Sequence, residues 1–98
     1  MKLAVIFTPA AREELLDALD WYEAQIPGLG GRFRREVETA VSRITTNPEQ
    51  FPTVFEDIRR ARLHKFPYGI FFRIEMDSLT IIACFHASRD PYQWQQRI

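Results

Sequence analysis

Hydrophobic positions change their period along this chain. From Lys2 to Phe7 the residues alternate imperfectly and carry Val5, Ile6 and Phe7 together, so both faces look apolar, which predicts a central strand. Thr8-Pro9 then reads as a helix start. Thr caps the first turn, and Pro is tolerated at the first helical position, where its missing N–H had no partner. Leu15, Leu19, Tyr22 and Ile26 recur at helical spacing, which predicts an amphipathic helix over about residues 10–25. Glu13, Glu14 and Asp17 fall early in it, where the helix dipole favours acids.

Pro27-Gly28-Leu29-Gly30-Gly31 interrupts the period and reads as a turn between helices. It lacks the preceding strand and the G-x-G-x-x-G spacing of a phosphate loop. Phe33, Val37, Ala40, Val41 and Ile44 then form the apolar stripe of a second helix, about residues 32–45, which Asn47-Pro48 ends. Residues 49–57 read as a connector anchored by Phe51, Val54 and Phe55, with Pro52 opposing regular structure. Residues 58–66 alternate in part and predict a strand with one basic face. After the turn Pro67-Tyr68-Gly69, a strand places Ile70, Phe72 and Ile74 on one face and Phe71, Arg73 and Glu75 on the other. Asp77-Ser78 predicts a tight hairpin into a last strand, residues 79–86. The tail from Pro91 to Ile98 predicts one helical turn capped by Asp90.

The element order is β-α-α-β-β-β. Short connections in the second half imply antiparallel neighbours. The expected fold is α+β in two layers: an N-terminal strand, then an antiparallel helical hairpin packed on a mainly antiparallel four-stranded sheet, with a short C-terminal tail.

Composition narrows the class. The 98 residues fit one small domain, 1–98. Eight Phe allow a dense core at this length. The single cysteine, Cys84, excludes an intrachain disulfide and suits a reducing cytoplasm; its apolar neighbours mark it as a core residue. No apolar run reaches the length of a membrane span, and the start lacks the core of a signal peptide. Two His and one Cys are too few for a typical structural zinc site, and no cofactor motif appears. The formal net charge is zero, but residues 1–57 carry −4 and residues 58–98 carry +4. Two surfaces of opposite sign suggest two kinds of contact.

The polar residues with chemical interest gather late. His86, Arg89 and Asp90 follow the last strand, and Tyr92 and Trp94 follow them. Metal-free cleavage of RNA would need a proton-transfer group, cations for the phosphorane charge and an aromatic for base stacking. His86 is the candidate acid or base. Arg73 and Arg89 are the candidate phosphate partners. Arg59, Arg60, Arg62 and Lys65 extend a cationic surface for a target or nucleic acid, and Tyr92 or Trp94 can stack. Structural roles compete at each position: His86 bonded to Asp90 or to a carbonyl, Arg89 paired with Asp90, Tyr92 and Trp94 pinning the tail to the sheet.

Several stretches together resemble one family. They are V-I-F-T-P-A-A, W-Y-E-A-Q, N-P-E-Q-F-P, I-R-R-A-R-L-H-K-F-P-Y-G-I-F-F-R-I and I-I-A-C-F-H-A-S-R-D-P-Y-Q-W. In this order they resemble the RelE/ParE superfamily of toxins from bacterial type II toxin–antitoxin systems. The H-A-S-R-D-P segment is similar to the ParE-like branch, also called plasmid stabilisation proteins. The resemblance implies a cytoplasmic toxin neutralised by a cognate antitoxin. ParE-like members poison DNA gyrase, whereas RelE-like members cut ribosome-bound mRNA. The place where RelE-like nucleases tend to carry an Arg, just after the turn into the third strand, is Gly69 here. The neutral charge also departs from the basic nucleases, so the ParE-like activity is the first expectation. An inactive interaction module of the same fold is the third.

Overall fold

Residues 3–98 are described by a computed structural model. The chain runs β1 (Ala4–Phe7), α1 (Pro9–Gln25), α2 (Leu29–Thr46), a 3-10 turn (Pro48–Gln50), β2 (Thr53–Phe55), β3 (Ile58–Arg62), β4 (Tyr68–Ile74), β5 (Ser78–His86) and α3 (Tyr92–Gln95). The strands form one sheet in the order β1-β5-β4-β3-β2. β1 runs parallel to β5, and all other neighbours are antiparallel. The α+β, two-layer expectation holds, with the helical hairpin covering one face of the sheet.

Three local expectations change. The N-terminal strand is an edge, not the centre; Lys2, its expected first residue, lies outside the described residues. Val5 and Phe7 pack beneath the helices, but Ile6 is 52% exposed, so its apolar character did not signal a covered second face. The connector contributes β2, making five strands rather than four. Pro52 does not prevent this, because it stands just before the strand and its carbonyl accepts from Arg60 N at 3.2 Å. β3 ends at Arg62 rather than Phe66, because the chain turns at Lys65, whose φ is +68°.

The helices show how sequence signals become contacts. Thr8 caps α1 through its Oγ1, which accepts from Ala11 N at 3.1 Å, and Pro9 opens the helix as expected. The first turn holds no acid, because α1 starts at Pro9 and places Glu13 and Glu14 in its second turn. α2 starts at Leu29, earlier than the glycines suggested. Gly28 takes the left-handed conformation at φ +92°, and Glu23 reaches across to cap the new helix. Its Oε2 accepts from Gly28 N at 2.9 Å and its Oε1 from Gly30 N at 3.0 Å. Gly30 lies inside α2 because α1 passes so close. A Cβ there would sit 2.8 Å from the Leu19 carbonyl oxygen.

The sheet separates two apolar clusters. Phe33, Val37, Ile44, Ile70, Phe72 and Ile81 fill the space under the helices. Ile58, Phe71, Ile82, Ala83, Phe85 and Trp94 form a smaller cluster on the other face. A bulge makes this second cluster possible. β4 and β5 lose register between Phe71 and Phe72, so Ile82 is an extra residue and side chains after it swap faces. Cys84 therefore points to the helices, while Ala83 and Phe85 point away.

Candidate functional site

The last turn of β5 and the tail build the candidate site. Trp94 is 2% exposed and lies against Phe71 at 4.5 Å between ring centroids, with Phe55 edge-on at 5.8 Å. The tail is thereby fastened over the otherwise open face of the sheet. Asp90 starts its helical turn by accepting from Tyr92 N at 3.0 Å. Arg97 closes the tail at its other end. It forms a two-pronged ion pair with Glu14 of α1, at 2.6 and 3.2 Å, and donates to the Ile82 carbonyl at 3.0 Å. Glu14 also accepts from Cys84 N at 3.1 Å. β1 ends opposite Ile81, so from Ile82 onward β5 has lost its neighbour on that side, while β4 still pairs with the other. Glu14 and Arg97 supply the acceptor and donor that a longer β1 would have supplied.

Between this tail and β3 lies a cavity of about 580 Å³. Arg60, Arg62 and Arg89 line it together with His86, Tyr68 and Trp94, and no carboxylate does. Gly69 leaves room in its wall. A Cβ there would sit 3.2 Å from Arg60 Cγ and 3.3 Å from Phe71 Cε1, so the Arg60 stem occupies the space of a missing side chain. Arg89 lies over the Phe85 ring at 4.1 Å and donates to Gln93 Oε1; its expected partner Asp90 is committed to the Tyr92 amide. His86 packs edge-on against Tyr68, its partner across the strands, at 5.1 Å. Its Nδ1 accepts from Ser88 N at 3.0 Å, with Ser88 Oγ at 2.8 Å, rather than bonding Asp90. That bond places any ring proton of the neutral imidazole on Nε2. Burial pushes the Tyr68 phenol above its usual pKa, reinforced by Tyr22 and Cys84 and opposed by Arg89.

His86, Arg89, Arg60, Arg62 and Trp94 thus meet at one cavity, and the other candidates do not. Arg73 faces the far end of β4, five positions from Tyr68 and so roughly 17 Å along the strand. There its Nε holds Asp57 Oδ2 at 3.0 Å. Arg59 donates to the carbonyls of Glu49 and Phe51 at 3.2 and 2.6 Å, which fixes the segment entering β2. Strand alternation separates it from Arg60 and Arg62, a difference that composition conceals. Lys65 sits exposed in the β3–β4 turn, and Tyr92 is 63% exposed; neither lines the cavity. Trp94 is there, but its faces are used by Phe71 and Phe55. Sequence reasoning missed Glu14 and Arg97. Only the early position of Glu14 in a helix was readable, and nothing local pairs residues 83 positions apart.

Among the described residues, no group of three His, Cys, Asp or Glu is placed to hold a metal ion. No helix among them is long and apolar enough to cross a membrane.

The family model for the ParE toxin of the type II toxin–antitoxin system parDE matches residues 5–91. This chain belongs to that family and is a ParE-like type II toxin. Among solved structures, a chain of the chromosomal ParDE toxin–antitoxin system of P. aeruginosa has the same fold. The TM-score is 0.77 at 18% identity, with 89% of this chain and 98% of that chain covered. Comparison with curated proteins gave no match.

Proposed function

We propose that this toxin acts in the cytoplasm by poisoning DNA gyrase and that a cognate antitoxin neutralises it. The resemblance to the RelE/ParE superfamily implies the two activities to be weighed, and membership of the ParE toxin family supports the first. The make-up of the cavity favours gyrase over mRNA cleavage. Metal-free cleavage needs one group to take a proton and another to give one. The cavity holds one imidazole, and its Nδ1 is already engaged by Ser88. Tyr68 is held protonated by burial, which disfavours it as a base. Arg73, the second expected phosphate partner, pairs with Asp57 at the far end of β4. What is left is a cationic docking surface, suited to an acidic patch on a protein target.

Inducible expression in a bacterial host tests this. Growth arrest, inhibited gyrase supercoiling in vitro and intact mRNA in a translation extract are the expected results. Cleaved mRNA with unaffected gyrase would instead establish the ribonuclease activity, and normal growth with folded protein would leave an inactive module. Arg89→Ala is expected to weaken gyrase inhibition about tenfold or more. It should lower the stability by only about 1 kcal/mol, since the cation–π contact with Phe85 and the hydrogen bond to Gln93 that it removes are both exposed.

A further inference from the structure

We propose that the cavity over Gly69 binds a small amphipathic carboxylate, with its head group held between Arg62 and Arg89. The strand register carries this. Arg62 of β3 stands directly opposite Gly69 of β4, and Gly69 stands opposite Phe85 of β5. Directly paired residues share a face of the sheet, here the face that the helices leave open. Two strand spacings, roughly 10 Å, separate the ends of this row. Its middle position has no side chain, and Arg89 lies over the Phe85 ring at the far end, at 4.1 Å. The row is therefore a trough with a guanidinium on each side. Arg60, one row further along, leans its stem over Gly69, with Cγ 3.2 Å from the place of a Cβ.

These cations have no anionic partner within the fold. Among the described residues the ion pairs join Arg73 to Asp57 and Arg97 to Glu14, and neither reaches the cavity lining. Arg89 commits one nitrogen to Gln93, a neutral amide, which leaves its other donors available. Cations gathered in one concavity, with no carboxylate in its lining, raise the local concentration of an anion. A guanidinium fork matches the two oxygens of a carboxylate with parallel bonds.

The rest of the lining selects the body of the ligand. Val54, Phe71, Phe85 and Pro91 give the cavity apolar wall, and its volume of about 580 Å³ is far more than a bare head group fills. An apolar body buried there adds binding that the head group alone lacks. A nucleotide fits less well, because the aromatic rings of the lining are already covered. Trp94 lies between Phe71 and Phe55, Arg89 covers Phe85, and Phe66 and Tyr68 pack against Phe33. No face is left on which a base could stack.

Titration of the wild-type protein followed by amide NMR tests this. Phenylbutyrate is expected to bind with a Kd below about 1 mM and to shift the Gly69 and Arg89 amides. Phenylbutyramide keeps the body and loses the charge, and acetate keeps the charge and loses the body. Each is expected to bind at least about tenfold more weakly. Arg62→Gln is expected to weaken phenylbutyrate binding by about tenfold as well. Equal binding of phenylbutyramide or acetate, unmoved Gly69 and Arg89 amides, or tighter binding of adenosine monophosphate would overturn the proposal. The effect on toxicity rests on the preceding reading, since the ligand would occupy the surface offered to gyrase. Saturating phenylbutyrate should then relieve gyrase inhibition in vitro. Binding without relief would sink gyrase docking at this cavity alone, and gyrase inhibition with no phenylbutyrate binding would sink the ligand site alone.

Discussion

Cys84 illustrates how one residue's environment overrides its intrinsic chemistry. It is 1% exposed on the helix side of β5, and burial raises its thiol pKa to about 12, with the nearby Glu14 carboxylate adding to the effect. Below the unfolded value of about 9 the thiol is protonated in both states, and its burial carries no charge penalty. Between there and about 12 the unfolded chain binds fewer protons than the folded one, so stability falls as pH rises. Replacing Cys84 with Ala should flatten the loss of stability between neutral pH and pH ~11 by up to a few kcal/mol. Urea melts of the two proteins across that range would show it, and parallel curves would disprove it. The buried thiol should also resist thiol reagents until the chain unfolds. The sequence placed Cys84 in the core from its neighbours alone. It could not show Glu14 beside it, because that contact depends on how α1 lies across β5.

At the scale of elements, the turn between α1 and α2 separates three glycines that look alike in the sequence. Gly28 has φ +92° and open space around it, so Ala there meets backbone strain of about 1 kcal/mol. At Gly30 a Cβ would lie under 3.0 Å from the Leu19 carbonyl and the Glu23 side chain. Rigid backbone cannot yield as a flexible tip does, and the cost should be about 1–3 kcal/mol. Gly31 faces only the Arg35 guanidinium at 3.7 Å, so Ala there should raise stability by up to about 1 kcal/mol through helix propensity. Thermal melts should therefore order the variants Gly31→Ala above wild type, then Gly28→Ala, then Gly30→Ala. A Gly30→Ala protein as stable as the parent would contradict the close helix crossing. Both helices were legible from their periods, but where α2 began was not. Its true first turn is capped by Glu23 from another helix, which no local motif encodes.

Across the whole molecule, the tail decides what the sheet exposes. Trp94 covers Phe71, Ile82 and Phe85 on the face that the helices leave open, yet its indole Nε1 is buried with no hydrogen-bond partner among the described residues. An apolar ring of similar shape should therefore serve nearly as well. Trp94→Ala should cost about 3–5 kcal/mol through the cavity it leaves. Trp94→Phe should cost much less, since the lost area is partly offset by removal of an unsatisfied N–H. Equal losses in the two variants, measured by denaturant unfolding, would mean that the N–H is satisfied in solution. The same tail carries Arg89 to the cavity and Arg97 back to Glu14, so the site and the stability of the C-terminal edge depend on one short segment.

Local order along the chain was enough to determine the class of fold. The change from helical to alternating period, Thr8-Pro9 as a start and Asn47-Pro48 as a stop are interactions within a few residues, and sequence spacing reports such interactions directly. It was also enough to gather His86 and Arg89 with Trp94, since they are neighbours in the chain. The tertiary structure alone decided that β1 is an edge, that Arg73 and Arg59 turn away from the cavity, and that Glu14 and Arg97 stand in for a missing strand. Those outcomes depend on sheet order, on a bulge at Ile82 and on contacts between residues far apart in the chain. Such contacts are settled by which packing buries the most apolar surface with every buried amide satisfied, and no short stretch of sequence contains that comparison.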